Sequence, residues 1–371
     1  MASVSTESKQ LRKSLRFPPG STVAVYAPNA AHLPALLGEA FPDGHFLTLT
    51  YDLKDAEAAQ ARVAARGCRN VSVHTGDTLD ALGETDLDAV VLRPSGWEGN
   101  EKLRSLLAQS LRMLRAGGNL YLVTYMRRGA PSQMRMVQER FGSYEIVERA
   151  GTGLRIVRAA KPEAAASGDP SEPAPAPDEG GEGHLIEAEV LGLRLTFRTA
   201  PGVFSHRRLD EGTVLLLETL GGGSIEGKKA VADLGCGYGP IGIALAARYP
   251  HLQVTMVDVD ARAVSLAQSN AALNGVAPRT RVLVSDGLGR FPGGAFDAVV
   301  IAFPLHIPKG EQVRLLTESR EALRVGGAIY LAALCEYDIR PTVQTVFGNV
   351  ETLAETPIGA ANRYRVLRAH T

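Results

Sequence analysis

The stretch Val231-Ala-Asp-Leu-Gly-Cys-Gly-Tyr-Gly-Pro-Ile-Gly242 decides the fold. A short apolar run carries an acid at its end, passes into a turn crowded with glycine, and leads into the alanine-rich segment from Ile241 to Arg248. That order predicts a strand, a tight loop and a helix. Gly235, Gly237 and Gly239 remove the β-carbons that otherwise hold a ligand away from the backbone, and a helix start behind them offers amide N–H groups. The expectation is a cradle for a nucleotide-like ligand in an α/β domain.

Two ligands compete for the cradle. Gly237-Tyr-Gly239-Pro-Ile-Gly242 matches the dinucleotide pattern G-x-G-x-x-G, which alone is a weak signal. Asp233 separates the two readings: a carboxylate ahead of the glycines pairs with the cationic amino group of S-adenosylmethionine, whereas beside a pyrophosphate it is repulsive. Gln253-Val-Thr-Met-Val-Asp258 predicts a second strand ending in an acid placed for ribose hydroxyls. Arg281-Val-Leu-Val-Ser-Asp286 predicts a third, with a carboxylate suited to an adenine amino group. Helix capping explains any one of these acids; Asp233, Asp258 and Asp286 together form a methyl-donor pattern. Cys236, inside the glycine turn, reads as a small pocket-lining residue.

The chain has 371 residues, more than one core usually holds, and its 40 basic and 40 acidic side chains cancel. Cys68, Cys236 and Cys335 are odd in number and lack C-x-x-C spacing, which argues against a disulfide framework or a zinc site. No apolar run reaches membrane-spanning length and the N-terminal residues lack a signal-peptide centre, so a cytoplasmic protein is expected. Residues 1–160 carry a small basic excess, with Lys9, Arg12, Lys13, Arg16, Arg127 and Arg128 as candidates to touch phosphates. Residues 161–183 are rich in Pro, Ala, Gly and acids without apolar periodicity, the composition of a disordered linker.

A repeat flanks this segment. Asp286, Phe296-Asp297-Ala-Val-Val-Ile and Leu323-Arg-Val-Gly326-Gly-Ala-Ile-Tyr-Leu echo Asp77, Leu87-Asp88-Ala-Val-Val-Leu and Leu114-Arg-Ala-Gly117-Gly-Asn-Leu-Tyr-Leu at identical spacings. The chain therefore reads as two tandem doubly wound Rossmann-like domains, residues 1–160 and 184–371. The first has Val23-Ala-Val-Tyr-Ala-Pro-Asn-Ala-Ala-His-Leu where the second has its glycine turn, and is expected not to bind cofactor, with Asp52 and Asp77 as strand-end caps. Ahead of the second, His184 to Arg198 alternates around Leu-Gly and predicts a hairpin. An internal pseudo-dimer of this kind favours a monomer.

Pro201-Gly-Val-Phe-Ser205, Leu209-Asp210, Gly212-Thr213, the cradle and the duplication resemble the bacterial small-subunit ribosomal RNA guanine-N2 methyltransferases. Those pair a degenerate N-terminal class I methyltransferase fold with an active C-terminal one. The resemblance implies S-adenosylmethionine as cofactor, small-subunit ribosomal RNA or the small subunit as partner, and Phe204 and Ser205 at the mouth of the cofactor site. The family's Asn-Pro-Pro-Phe-His signature falls on Ala302, Phe303, Pro304, Leu305 and His306. The Asn and the Phe are replaced, so backbone carbonyls near Ala302 and Phe303 are expected to orient the amine, Phe303 to stack on the base, and His306 to be a candidate proton acceptor. A different substrate, or a cofactor-binding assembly protein without catalysis, are the alternatives.

Overall fold

The computed structural model describes residues 6–94, 99–162, 184–200, 203–205, 207–303, 307–357 and 362–371. It divides into two compact units, Met1–Glu182 and Gly183–Thr371. The first holds a seven-stranded sheet of β1 (Thr22–Tyr26), β2 (His45–Thr50), β3 (Val71–Thr75), β4 (Leu87–Leu92), β5 (Leu114–Tyr125), β6 (Glu145–Arg149) and β7 (Leu154–Ala160), in the order β3-β2-β1-β4-β5-β7-β6. The second begins with a hairpin, β8 (His184–Val190) and β9 (Leu193–Thr199), and continues with β10 (Ala230–Leu234), β11 (Gln253–Asp258), β12 (Thr280–Val284), β13 (Phe296–Ala302), β14 (Leu323–Leu334), β15 (Glu351–Glu355) and β16 (Tyr364–His370). Its sheet order, β12-β11-β10-β13-β14-β16-β15, is the same.

In each sheet five strands run parallel and one strand inserts antiparallel next to the fifth, β7 against β5 and β16 against β14. The parallel strands are apolar on both faces because helices cover both. In β13, Ala298 and Val300 enter one core with Val231, Val254 and Met256, while Val299 and Ile301 enter the opposite core with Ala232, Val257 and Leu331. Val23 and Val25 likewise oppose Ala24 and Tyr26 across the first sheet. The expected pair of doubly wound domains is what the chain forms.

The duplication extends to polar details. A bulge sits at Asp88 between Leu87 and Ala89, and at Asp297 between Phe296 and Ala298. Asp88 accepts the Thr22 N–H at 2.8 Å, and Asp297 accepts those of Lys229 and Ala230 at 2.8 and 2.9 Å, each starting the central strand beside it. Arg115 and Arg324 pair with these acids. Despite some desolvation, the amide donors and the guanidinium hold both carboxyls below the ordinary range. The Tyr121 and Tyr330 hydroxyls, both at the eighth position of the fifth strand, donate to the carbonyls of Arg16 and Ser224.

Two boundaries differ from expectation. Lys161 belongs to the first unit, its N–H donating to Gly118 and its ammonium to the Leu114 carbonyl; the rest of the expected linker lies outside the described residues from 163 on. The third strand of the second unit ends at Val284, so Asp286 stands two residues past it. The hairpin turns through Leu191 and Gly192, both at positive φ (53° and 71°), the geometry that matches strand twist in two-residue turns. Among the described residues, no helix is long and apolar enough to cross a membrane.

Candidate functional site

Parallel register brings the chemistry to one edge. Leu234 pairs with Val257, Asp258 with Val284, Asp233 with Val300, and Ala302 with Ala332, so the carboxyl ends of β10, β11, β12, β13 and β14 lie side by side. That is where doubly wound sheets bind ligands. The glycine turn folds across this edge, the N–H groups of Gly235 and Cys236 both donating to the Val257 carbonyl at 2.8 and 3.0 Å.

The glycines divide by role. Gly235 and Gly237 have φ of 70° and 55°, and a β-carbon on either meets nothing within 4 Å. Only the left-handed backbone demands glycine there, and the space before them is open to a ligand. Gly239 and Gly242 are packing residues: a β-carbon lies 2.8 Å from Ile243 Cδ1 in the first case and 2.6 Å from Met256 in the second. Gly242 is therefore explained by the helix Pro240–Arg248 lying close on the sheet, and Gly239 by its positive φ of 92° and by Ile243 and Ala267 packed against it.

Asp233 is fully buried. One oxygen accepts the Gly242 N–H at 2.8 Å, near the start of that helix, and Oδ1 has no hydrogen-bond partner. A buried acceptor left over in this way needs a donor or a cation. Burial, with a contribution from Asp258, pushes its carboxyl up to about 7, the Gly242 amide opposing. Asp258 accepts from Gly237 N–H and Asp260 N–H, both at 2.9 Å, and burial raises its carboxyl too. A pyrophosphate here meets two carboxylates, and the Gly242 N–H is already engaged by Asp233. An ammonium group and ribose hydroxyls fit. Cys236 is buried with its thiol pushed well up, chiefly by desolvation, which leaves it without nucleophilic character.

Asp286 is held by an arginine. Arg314, on the helix Lys309–Ala322, binds Asp286 Oδ1 at 2.7 Å and Glu311 at 2.6 Å, and also pairs with Glu318, which accepts the Leu288 and Gly289 N–H groups. The sequence reading missed Arg314. Ala302 ends β13. Phe303 donates its N–H to Ala332 and its ring is buried with Ile301 and Leu331, which removes it as the stacking face expected from the resemblance. Pro304, Leu305 and His306 lie outside the described residues, as do Pro201 and Gly202.

Val203 is buried in the same core as Cys236 and Tyr238, whereas Phe204 is 70% exposed and Ser205 takes a positive φ of 56°. Phe204 is therefore not a core residue. Asp210 caps the helix Glu211–Thr219 through the Thr213 N–H and accepts the Tyr364 hydroxyl at 2.9 Å. A β-carbon on Gly212 would stand 2.6 Å from the Tyr364 ring. Asn270 and Asn274, one helical turn apart, also escaped the sequence reading. Asn270 bonds Arg198 N–H, Arg198 C=O and Tyr238 C=O, and Asn274 bonds Thr196 N–H and C=O, tying β9 and the glycine turn to the helix Ala261–Leu273. An Asn repeated at i,i+4 on an otherwise alanine-rich helix was the available signal.

The first unit lacks this arrangement. Matching registers put Val25 at the place of Asp233 and Thr50 at the place of Asp258. Asp52 corresponds to Asp260, and both cap the following helix. Tyr26, Ala27, Pro28 and Ala30 are buried in place of an open turn. Arg12, Arg16 and Arg127 are exposed; the side chains of Lys9 and Arg128 lie outside the described residues.

A structure of a T. thermophilus 16S rRNA N2 G1207 methyltransferase in complex with AdoMet and guanosine superposes with a TM-score of 0.74 over 98% of this chain and 91% of that one, at 24% identity. It shares the fold. Proteins named ribosomal RNA small subunit methyltransferase C align with part of the chain. The one from Pseudomonas entomophila is 39% identical over 173 residues, 46% of this chain and 49% of that protein. The one from Shewanella amazonensis is 36% identical over 169 residues, 44% and 46%. The chain thus spans about half the length of the curated relatives it matches. The family described as methyltransferase small domain matches residues 31–157 and 194–368, one stretch in each unit. The chain belongs to the methyltransferase small domain family.

Proposed function

We propose that the protein is an S-adenosylmethionine-dependent methyltransferase acting on the exocyclic N2 of a guanine in small-subunit ribosomal RNA. The observation that carries this is the buried, half-satisfied Asp233 beside an open glycine turn, a pairing that accepts an ammonium and rejects a pyrophosphate. The cofactor supplies a methyl group already activated on a sulfonium. The chain has to bind, align and shield. Asp233 holds the amino group, Asp258 the ribose hydroxyls and Asp286, steadied by Arg314, the adenine amine; Cys236, Gly235, Gly237 and Gly239 shape the turn, and Ser205 and Phe204 border its mouth. Near Ala302, a main-chain carbonyl takes the alignment role that an Asn side chain fills in the related signature. The names of the relatives support the substrate, and residues 1–161 serve as a degenerate copy joined to the active one by the residues that follow, up to 183.

Labelled methyl transfer to small subunits from a strain lacking the protein, with the modified nucleotide mapped, tests this. Label on guanine N2 is expected, and an Ala302→Asn variant should transfer about tenfold faster or more, having regained a positioned acceptor. Cofactor binding without label on any nucleotide overturns the proposal.

A further inference from the structure

Among the described residues, only two phenylalanine or tyrosine rings are exposed, Phe204 at 70% and Tyr337 at 57%. Tyr337 lies in the loop that leaves β14, at the sheet edge where the glycine turn, Asp258 and Ala302 converge. Its strand is the immediate neighbour of β13, and it stands five residues past Ala332, the partner of Ala302.

The loop is pinned on both sides of the ring. Cys335 N–H donates to the Arg363 carbonyl at 2.7 Å and Tyr337 N–H to the Leu334 carbonyl at 3.1 Å. Asp338 pairs with Arg340 at 2.7 Å and Arg365 at 3.2 Å, and Ile339 is buried. An aromatic ring left in water on an ordered loop contributes nothing to the core, yet offers a flat face at little entropic cost. The reaction requires such a face, because a base modified on its exocyclic amine must leave its stack. The residues of the related signature do not provide it: Phe303 is buried, and Leu305 has no ring. In the first unit, which lacks the open turn, the same place in the repeat holds Arg128.

We infer that Tyr337 is the base-stacking residue of the site, the face against which an unstacked RNA nucleobase lies. This rests on the RNA-methyltransferase reading above. The side chain is exposed, so Tyr337→Ala should fold normally, which thermal denaturation checks.

Steady-state transfer to small subunits is the first measurement. Tyr337→Ala should raise the KM for the subunit by about tenfold or more, leave S-adenosylhomocysteine affinity unchanged, and be rescued by Tyr337→Phe. An unchanged KM, or a Phe variant as impaired as the Ala variant, overturns the inference and leaves the proposed function standing. A second readout does not depend on turnover: a single-stranded oligoribonucleotide carrying one 2-aminopurine should be quenched by the wild-type protein and much less by Tyr337→Ala. If the wild type transfers no methyl to subunits, the proposed function fails, and this fluorescence decides the stacking role alone, equal quenching by both proteins overturning it.

Discussion

At the scale of single residues, the burial of Asp233 bears both on stability and on the proposed binding. Burial raises its carboxyl from the ordinary 3.8 to about 7. Between those values the folded chain holds a proton that the unfolded chain has released. The stabilisation is therefore complete below pH 3.8 and is lost as pH rises through 7. Ligand binding should run the other way, because a cation on Oδ1 favours the ionised form. Affinity for S-adenosylhomocysteine should climb about tenfold per pH unit towards neutrality and level off above pH 7. Asp233→Asn should flatten both profiles and bind weakly throughout. Calorimetric titrations and melts from pH 5 to 8 measure them, and matching slopes in variant and wild type would refute the assignment.

Among elements, the glycine turn depends on neighbours that hold it. Asn270 is fully buried and serves three backbone groups from β9 and the turn, so Asn270→Ala leaves them unsatisfied. A loss of about 2–4 kcal/mol in urea denaturation is expected, together with weaker cofactor binding, since the Tyr238 carbonyl is no longer fixed. Gly212→Ala should cost about 1–3 kcal/mol, its β-carbon forcing Tyr364 away from Asp210; recovery in a Gly212→Ala, Tyr364→Ala double variant would identify the clash as the cause. The strands of the second unit, the hairpin and the duplicated core were legible in the sequence because they rest on apolar period and on turn residues, which are local signals. Asn270, Arg314 and the burial of Phe303 were not, because each is defined by partners 28 to 72 residues away or by which face of a strand end meets the core. The acids at Asp52 and Asp258 looked equivalent in sequence, and only strand register shows that Asp52 matches the helix cap Asp260 rather than Asp258.

For the whole molecule, duplication has kept the scaffold while the carboxyl edges of the two sheets have diverged. The features shared by both units are those that build the sheet: the bulge acids Asp88 and Asp297, their arginines, and the tyrosines that anchor the fifth strand. The features that differ lie at the carboxyl edge, where Val25, Thr50 and Asn29 stand in place of Asp233, Asp258 and Gly237. A scaffold that retains its sheet but has an apolar side chain where the buried acid should be cannot hold an ammonium, so the chain should bind one cofactor, not two. Titration with S-adenosylhomocysteine should give a stoichiometry of one. Asp258→Ala should weaken that binding about tenfold or more through loss of the ribose acceptors. Asp52→Ala should leave affinity unchanged while lowering stability by about 1 kcal/mol through loss of the helix cap, and Asp77→Ala should also leave affinity unchanged. Two equivalent binding events would mean that both units hold cofactor, whereas abolition of binding by the Asp52 and Asp77 variants would place the site in the first unit, and either result overturns the proposed division between the copies.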